Sequence, residues 1–158
     1  MNSELSSGSE RMTQILQDYF DVLNKKYADH LSGMLGLSFV SCDVKSLSLC
    51  VSMEPKPWMC NTRGALHGGI LATALDVCLG ALCRYVSGWV ECPTVQLRVD
   101  YHLPVPAGRL LLIEAQLESA HPPMYSATGW ICVEGKPQHR LVTAAASFYA
   151  SASHDRCL

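Results

Sequence analysis

The stretch that decides the fold is "LHGGILATALDVCLGAL", residues 66–82. Between Gly68 and Leu82 every residue is apolar or small except Thr73 and Asp76. A helix that is apolar nearly all round is buried on most of its sides. The stretch therefore predicts a central buried helix over residues 66–86. This helix carries a lone carboxylate and opens with His-Gly-Gly.

Before this helix, apolar residues recur along the chain with two different spacings. Between Arg11 and Leu31 apolar residues recur at three- and four-residue steps, which predicts an amphipathic helix. In "KSLSLCVSM", residues 45–53, apolar and polar residues alternate, which predicts a half-buried strand. A similar stretch, "GLSFVSC" at residues 36–42, is expected to pair with it as a hairpin. The Pro- and Gly-rich residues 54–65 then form a loop.

Four further strands are predicted after the central helix. They are "VQLRVDYHL" (95–103), "RLLLIEAQLES" (109–119), "MYSATGWICVE" (124–134) and "RLVTAAASFYA" (140–150). The order of elements is helix, two strands, buried helix, four strands. This order indicates an α+β fold in which an antiparallel sheet wraps around the long central helix. A single sheet leaves edge strands to be covered, which favours oligomers.

Length and composition narrow the class of protein. The chain of 158 residues fits one domain, predicted over 11–152 between a flexible tail at 1–10 and a C-terminal tail at 153–158. Apolar residues make up 49% and charged residues 16%, as in a globular protein. A net charge of −2 without a basic run argues against a nucleic-acid partner. With no signal core and no apolar run of membrane-spanning length, we expect a cytoplasmic protein without a membrane partner.

The eight cysteines include no C-x-x-C pair, so neither disulfides nor a zinc site is favoured. We expect reduced cysteines that pack as small hydrophobic residues, with Cys157 exposed and reactive. The scattered His102, His121 and His139 have no spacing suited to metal ligation, so we expect surface residues and no metal.

The lone acid Asp76 needs a partner, because a buried ionised carboxylate is costly unless it is hydrogen-bonded or paired. Its neighbours one helical turn away, Ala72 and Gly80, have no side-chain donor. Asp76 must therefore face another element, another chain or a water-filled cleft. Two interpretations stay open, a catalytic acid and a structural acid bonded to backbone amides.

The His-Gly-Gly at the start of the helix predicts a site for a carbonyl oxygen or an anion. A helix N-terminus offers unpaired N–H groups and a partial positive charge, and Gly68 and Gly69 leave access to them. His67 and Asp76 are nine residues apart, about 13 Å along the axis and on opposite helix faces. They can meet only across a two-fold dimer, so a catalytic Asp76 implies composite sites.

These residues resemble the motif of hotdog-fold acyl-CoA thioesterases of the PaaI-like and thioesterase superfamily member 2 type. The motif is carried by Asn61, His67, Gly68, Gly69, Leu75, Asp76 and Gly80. The strand and turn at residues 94–116 and the last strand at 140–149 also resemble that family. The resemblance extends from about residue 33 to residue 150.

The resemblance implies a hotdog fold, with a long helix wrapped by an antiparallel sheet. It also implies that two sheets join edge to edge in a homodimer and that dimers pair into a homotetramer. The implied activity is hydrolysis of an acyl-CoA thioester to the free acid and CoA. Coenzyme A is then part of the substrate, and no cofactor or metal is needed.

The resemblance also implies roles for individual residues. Asp76 matches the catalytic carboxylate, which acts as general base on water or attacks the thioester directly. The Gly68 N–H and the Asn61 amide match the groups that hold the thioester carbonyl. His67 matches the histidine that orders the site, and Thr94 matches a hydroxyl that orients the water. Gly69, which follows Gly68, is assigned to substrate binding.

Two alternative functions remain beside the thioesterase. One is a hotdog hydratase or dehydratase acting on acyl-CoA or acyl carrier protein, which uses a histidine paired with a carboxylate. The other is a non-catalytic acyl-CoA-binding module. The chain also departs from the family pattern at "HPPMYS", residues 121–126, where many relatives have a basic residue that contacts CoA phosphate.

Overall fold

The computed structural model describes residues 2–151 and has three helices and six strands. The helices are α1 (Asn2–Lys26), α2 (Leu31–Met34) and α3 (Gly68–Val86), with a single 3₁₀ turn at Pro57–Met59. The strands are β1 (Ser38–Asp43), β2 (Ser48–Met53), β3 (Thr94–Tyr101), β4 (Leu111–His121), β5 (Met124–Val133) and β6 (Val142–Tyr149). The element order predicted from the sequence is confirmed.

The six strands form one antiparallel sheet in the order β1-β2-β4-β5-β6-β3. The long helix α3 packs against β4, β5 and β6, and its buried side chains join the main hydrophobic core. The predicted α+β fold, an antiparallel sheet around a central helix with an extra N-terminal helix, is therefore confirmed.

Helix α3 packs tightly on the sheet at Gly129 in β5. A Cβ atom at this position would be 2.5 Å from the Glu114 carbonyl oxygen and 3.0 Å from Leu79 Cδ2. The lack of a side chain at Gly129 therefore leaves the room that Leu79 of α3 occupies against the strand.

Strand β3 is an edge of the sheet and pairs only with β6. Three apolar side chains at this edge are exposed: Val95 and Tyr101 are 59% and 52% exposed, and Leu103 just beyond the strand is 56% exposed. The pairing register also shifts between Thr94 and Gln96. An edge strand with exposed apolar side chains is a surface on which another strand can pair.

The N-terminal helix differs from its predicted bounds at both ends. It begins at Asn2, so residues 2–10 are helical and the predicted tail at 1–10 is wrong over them. Apolar periodicity missed this part because "NSELSSGSE" has one apolar residue. The helix ends at Lys26, and Leu31 belongs to the separate short helix α2. The predicted C-terminal tail at 153–158 lies outside the described residues.

The seven cysteines within residues 2–151 are all free. Cys78 is fully buried, and burial raises the pKa of its thiol well above the usual value. Burial also raises the pKa of Cys83 to about 12. These cysteines pack as small apolar residues, whereas Cys157 lies outside the described part of the chain. Helix α3 is long and apolar enough to cross a membrane by length and composition, and half of that stretch is buried in the fold.

Replacing Gly129 by alanine should destabilise the fold, because the added methyl group would overlap the backbone of β4. Overpacking of this kind costs about 1–3 kcal/mol, so thermal denaturation should give a Tm lower by several degrees. Gly8→Ala is the matched control, since nothing lies within 4 Å of its Cβ position and alanine favours a helix. Equal Tm values for Gly129→Ala and the unaltered chain would contradict the packing described here.

Candidate active site

His67 is the N-cap of α3 and organises the start of the helix. Its Nδ1 accepts a hydrogen bond of 3.0 Å from the Gly69 N–H, and its carbonyl oxygen accepts from the N–H groups of Ile70 and Leu71. Nδ1 is therefore the unprotonated ring nitrogen in this arrangement. The side chain satisfies one of the free amides at the helix end, as capping side chains do.

Gly68 presents a free backbone N–H at the positive end of α3. Among the described residues this N–H has no hydrogen-bond partner, whereas the neighbouring Gly69 N–H is taken by His67. An unpaired amide at a helix N-terminus is a donor for a developing oxyanion. The Gly68 N–H is thus free to donate to a thioester carbonyl oxygen, which is the role that the family resemblance implies for it.

Tyr101 holds the peptide group between Gly68 and Gly69, the one that follows the free Gly68 N–H along the chain. Its hydroxyl donates a 2.8 Å hydrogen bond to the Gly68 carbonyl oxygen. A tyrosine phenol is protonated at neutral pH and can donate, and partial burial raises the pKa of Tyr101 further. A Cβ at position 68 would lie 3.3 Å from the tyrosine ring, tighter than ordinary contact, so glycine suits this packing. Sequence reasoning placed Tyr101 in the strand and in the turn that resembles the family, and it did not foresee this contact.

Asn61 lies in the loop before α3 and has a free amide group. Its Oδ1 accepts hydrogen bonds from the N–H groups of Arg63, at 2.8 Å, and Ala65, at 3.3 Å. Its Nδ2 has no partner in the part of the chain that the structure describes. The turn therefore fixes the side chain through its oxygen and leaves its N–H₂ able to donate to a carbonyl.

Asp76 faces the start of the edge strand β3. Thr94 Oγ1 donates a 2.8 Å hydrogen bond to Asp76 Oδ1, and the carboxylate is half-buried. Its Oδ2 has no hydrogen bond within residues 2–151. This contact answers the question raised by the lone acid, because the donor comes from the sheet and not from a neighbour on the helix. The structure thus brings together two of the residues assigned from the sequence.

A cavity of about 640 Å³ opens beside Asp76. Its lining includes Tyr19 from α1, Phe148 from β6, and an ion pair that sequence reasoning missed, Arg84 with Glu91. Arg84 Nη2 lies 3.0 Å from Glu91 Oε1. The cavity wall therefore has two polar regions, one at Asp76 and one at this ion pair. The Tyr19 and Phe148 rings form part of the same wall.

The two groups of site residues are separated along α3. Asp76 follows Gly68 by eight residues of continuous helix, which places their backbones about 12 Å apart along the axis. One group consists of Asn61, His67 and Gly68, and the other of Asp76 and Thr94. No hydrogen bond joins the two groups among the described residues. A reacting carbonyl cannot contact both groups within one chain.

The described residues contain no group of three or more His, Cys, Asp or Glu side chains placed to hold a metal ion. The exposed His102 shares a 2.8 Å hydrogen bond with the Thr143 hydroxyl, and the exposed His121 one of 2.7 Å with Ser119. His139 is exposed as well. All three histidines lie on the surface, as predicted.

The central part of the chain is similar in sequence to known thioesterases. Residues 63–121 match the family model "Thioesterase superfamily". A stretch of 65 residues, 41% of this chain, is 37% identical to acyl-coenzyme A thioesterase THEM4 from Xenopus laevis. That stretch covers 28% of the relative's length, so the chain spans well under half of this curated relative.

Solved structures share the fold at low sequence identity. Zebrafish thioesterase superfamily member 2 superposes with a TM-score of 0.76 at 16% identity, covering 88% of this chain and 98% of that one. The PaaI protein of the E. coli phenylacetic acid degradation operon superposes with a TM-score of 0.70 at 18% identity, covering 87% of this chain and 92% of that one. Streptococcus mutans smu.793, solved bound to acetyl-CoA, superposes with a TM-score of 0.65 at 18% identity, covering 75% of this chain and 91% of that one.

These matches confirm the resemblance drawn from the motif around α3. The family match includes His67, both glycines, Asp76 and Thr94. The structural matches confirm the wrapped central helix and the extra N-terminal helix as parts of one known fold. The chain is therefore a hotdog-fold protein whose central segment matches the thioesterase superfamily.

Proposed function

We propose that this protein hydrolyses acyl-CoA thioesters to the free acid and CoA. The observation that carries the proposal is the half-buried Asp76 carboxylate, which accepts the Thr94 hydroxyl and lines a cavity. The 37% identity to an acyl-coenzyme A thioesterase and the likeness to a protein bound to acetyl-CoA support this substrate class.

The proposed chemistry uses hydrogen-bond donors and one carboxylate. The thioester carbonyl oxygen accepts from the Gly68 N–H and the Asn61 amide, which stabilise the negative charge that forms on that oxygen. Asp76 either takes a proton from the attacking water or attacks the carbonyl carbon itself. Collapse of the tetrahedral intermediate expels the CoA thiolate, which then takes up a proton. Attack by water gives the free acid directly, whereas attack by Asp76 leaves a mixed anhydride on the carboxylate, and a water molecule then hydrolyses this anhydride to the free acid and restores Asp76. Thr94 holds Asp76 through Oδ1 and leaves Oδ2 for the reaction. These steps require no cofactor or metal.

The site is completed by a second chain that pairs along the exposed edge strand β3. Antiparallel pairing of two β3 strands around an axis between Leu97 and Arg98 sets Thr94 opposite Tyr101 of the partner subunit, since both are equally far from the axis. Thr94 contacts Asp76, and Tyr101 contacts Gly68 within its own chain. This dimer therefore brings Asp76 of one chain towards the helix N-terminus of the other.

A homodimer thus accounts for the 12 Å separation within each chain, and pairing of two dimers into a homotetramer remains a prediction. The cytoplasmic location also remains a prediction, as does the absence of nucleic-acid and membrane partners. The exposed apolar side chains along β3 support the dimer, because they would be covered by the second strand.

The alternative functions fit the geometry less well. A hydratase or dehydratase needs a histidine paired with a carboxylate, whereas His67 uses Nδ1 to cap the helix and contacts no acid among the described residues. A binding module without catalysis would not need an acid in the cavity, since Asp76 there repels anionic groups and is costly to desolvate. Addition of water to an enoyl-CoA without release of thiol would favour the hydratase.

Replacing Asp76 by asparagine should abolish most of the activity, because the amide can neither take a proton nor attack the thioester. Asn61→Ala should reduce the rate by roughly 10²–10³-fold, the usual loss of one oxyanion donor, and Asp76→Asn should reduce it further. The measurement is release of free CoA, followed by mass spectrometry, from short, medium, long and aryl acyl-CoAs. Hydrolysis by Asp76→Asn at the unaltered rate would exclude Asp76 as the catalytic group.

Tyr101→Phe should reduce kcat by about tenfold with little change in KM, because it removes only the hydrogen bond that fixes the Gly68 carbonyl and, through the Gly68 Cα, the direction of the adjacent donor N–H. Gly68 acts most strongly on the transition state, so kcat is the sensitive constant. Tyr149→Phe is the matched control, since Tyr149 is 44% exposed on β6 and lines no described cavity. Equal kcat values for the two variants would show that the Tyr101 hydroxyl does not position the donor.

A further inference from the structure

Arg84 is the cationic residue of the cavity beside Asp76, and most of its hydrogen-bonding capacity is unused. A guanidinium group has five N–H donors. Among the described residues Arg84 makes one side-chain hydrogen bond, from Nη2 to Glu91 Oε1 at 3.0 Å. Its Nε is buried without a partner, and its side chain is 30% exposed. The remaining Nη donors are therefore available to a ligand.

The position of Arg84 is fixed by its neighbours. Its guanidinium lies over the Trp89 ring at 5.6 Å from the centroid, within the range of cation–π attraction. Trp89 in turn packs edge-on against Tyr19 from α1, with ring centroids 5.4 Å apart. Together with Glu91, these contacts hold the charged group at one place on the cavity wall.

Arg84 also lies at a defined distance from the proposed catalytic group. It follows Asp76 by eight residues of α3, about 12 Å along the axis and about 80° around it. Both side chains line the same cavity, with the Phe148 ring also in its wall. An acyl group whose thioester carbon lies at Asp76 and which extends through this cavity therefore ends near Arg84 and Glu91.

The charges in the cavity select the kind of group that binds at this end. Asp76 and Glu91 bring two negative charges and Arg84 brings one positive charge. A further carboxylate or phosphate would be repelled by the two acids. A neutral hydroxyl instead accepts from a free N–H of Arg84 and donates to Glu91 Oε2, which has no hydrogen bond among the described residues.

We propose that Arg84 and Glu91 form a hydroxyl-recognition pair, and that the preferred substrates are acyl-CoAs with a hydroxyl group at the far end of the acyl chain. This inference rests on the proposed function, since it takes the thioester to lie at Asp76. It assigns substrate selection to two residues that perform no step of the hydrolysis.

The test compares matched ligands with and without a terminal hydroxyl. The probes are S-alkyl-CoA thioethers of hexyl, octyl and decyl length, each with its ω-hydroxy counterpart. Thioethers cannot be hydrolysed, so calorimetric Kd values test the inference separately from catalysis. The corresponding acyl-CoAs, hexanoyl, octanoyl and decanoyl with and without an ω-hydroxyl, give the same comparison in kcat/KM.

At the chain length that spans the cavity, the hydroxylated ligand should bind about tenfold more tightly, as expected for a hydrogen bond to charged groups. Arg84→Met should bring this ratio close to one. Glu91→Ala should also lower it, and Glu91 is 69% exposed, so this variant should fold normally. Arg109→Met, an exposed residue outside the cavity, is the control that keeps the ratio.

Three results would overturn the inference. The first is equal affinity for hydroxylated and plain thioethers at every length, and the second is a ratio that Arg84→Met leaves unchanged. The third is a loss of affinity in Arg84→Met for all CoA thioethers but not for the same groups on N-acetylcysteamine, which would assign Arg84 to CoA phosphate. Preferential binding of hydroxylated thioethers without hydrolysis of any acyl-CoA would uphold the recognition pair and refute the thioesterase.

Discussion

Two hydrogen bonds join the edge strand β3 to the central helix α3, and the geometry of the site depends on them. Thr94 at the start of the strand holds the Asp76 carboxylate, and Tyr101 at its end holds the Gly68 carbonyl, next to the free Gly68 N–H. Both bonds require α3 to lie close to the sheet, which the packing at Gly129 allows. Because the two contacts lie at opposite ends of one strand, the helix presents its acid and its free amide at separate places.

This separation explains why the fold of one chain leaves the proposed site unfinished. Within residues 2–151, the amide groups around Gly68 can hold a carbonyl oxygen but have no hydrogen-bonded acid, and Asp76 has no hydrogen-bond donor besides the Thr94 hydroxyl. In the dimer proposed above, the two-fold arrangement of β3 strands reverses the order of the two ends, so each helix N-terminus would meet the acid of the other chain. The same pairing would cover the apolar side chains that β3 exposes.

Much of the fold could be predicted from the sequence, since α3 is apolar all round and the strands alternate with period two. The family resemblance assigned Thr94 and Asp76 to one site but gave Thr94 the role of orienting the water, and the hydrogen bond between the two was not foreseen, because 18 residues and a loop separate them in the chain. The ion pair of Arg84 was missed, since a lone arginine in the last turn of a helix ordinarily complements the helix dipole. The cavity beside Asp76 carries the charges of Asp76, Arg84 and Glu91. A second, mainly apolar groove of about 860 Å³ lies against α1 and also has Tyr19 in its wall.

The most direct test of the central claim is subunit complementation between two inactive variants. Asn61→Ala and Asp76→Asn chains would be co-expressed with different affinity tags, and the doubly tagged mixed dimers would be assayed for CoA release. Each mixed dimer has one site with both defects and one intact site if the two groups come from different chains, so about half of the unaltered activity should return. Mixed dimers as inactive as either parent variant, or full activity in a monomeric chain, would contradict a site shared between subunits.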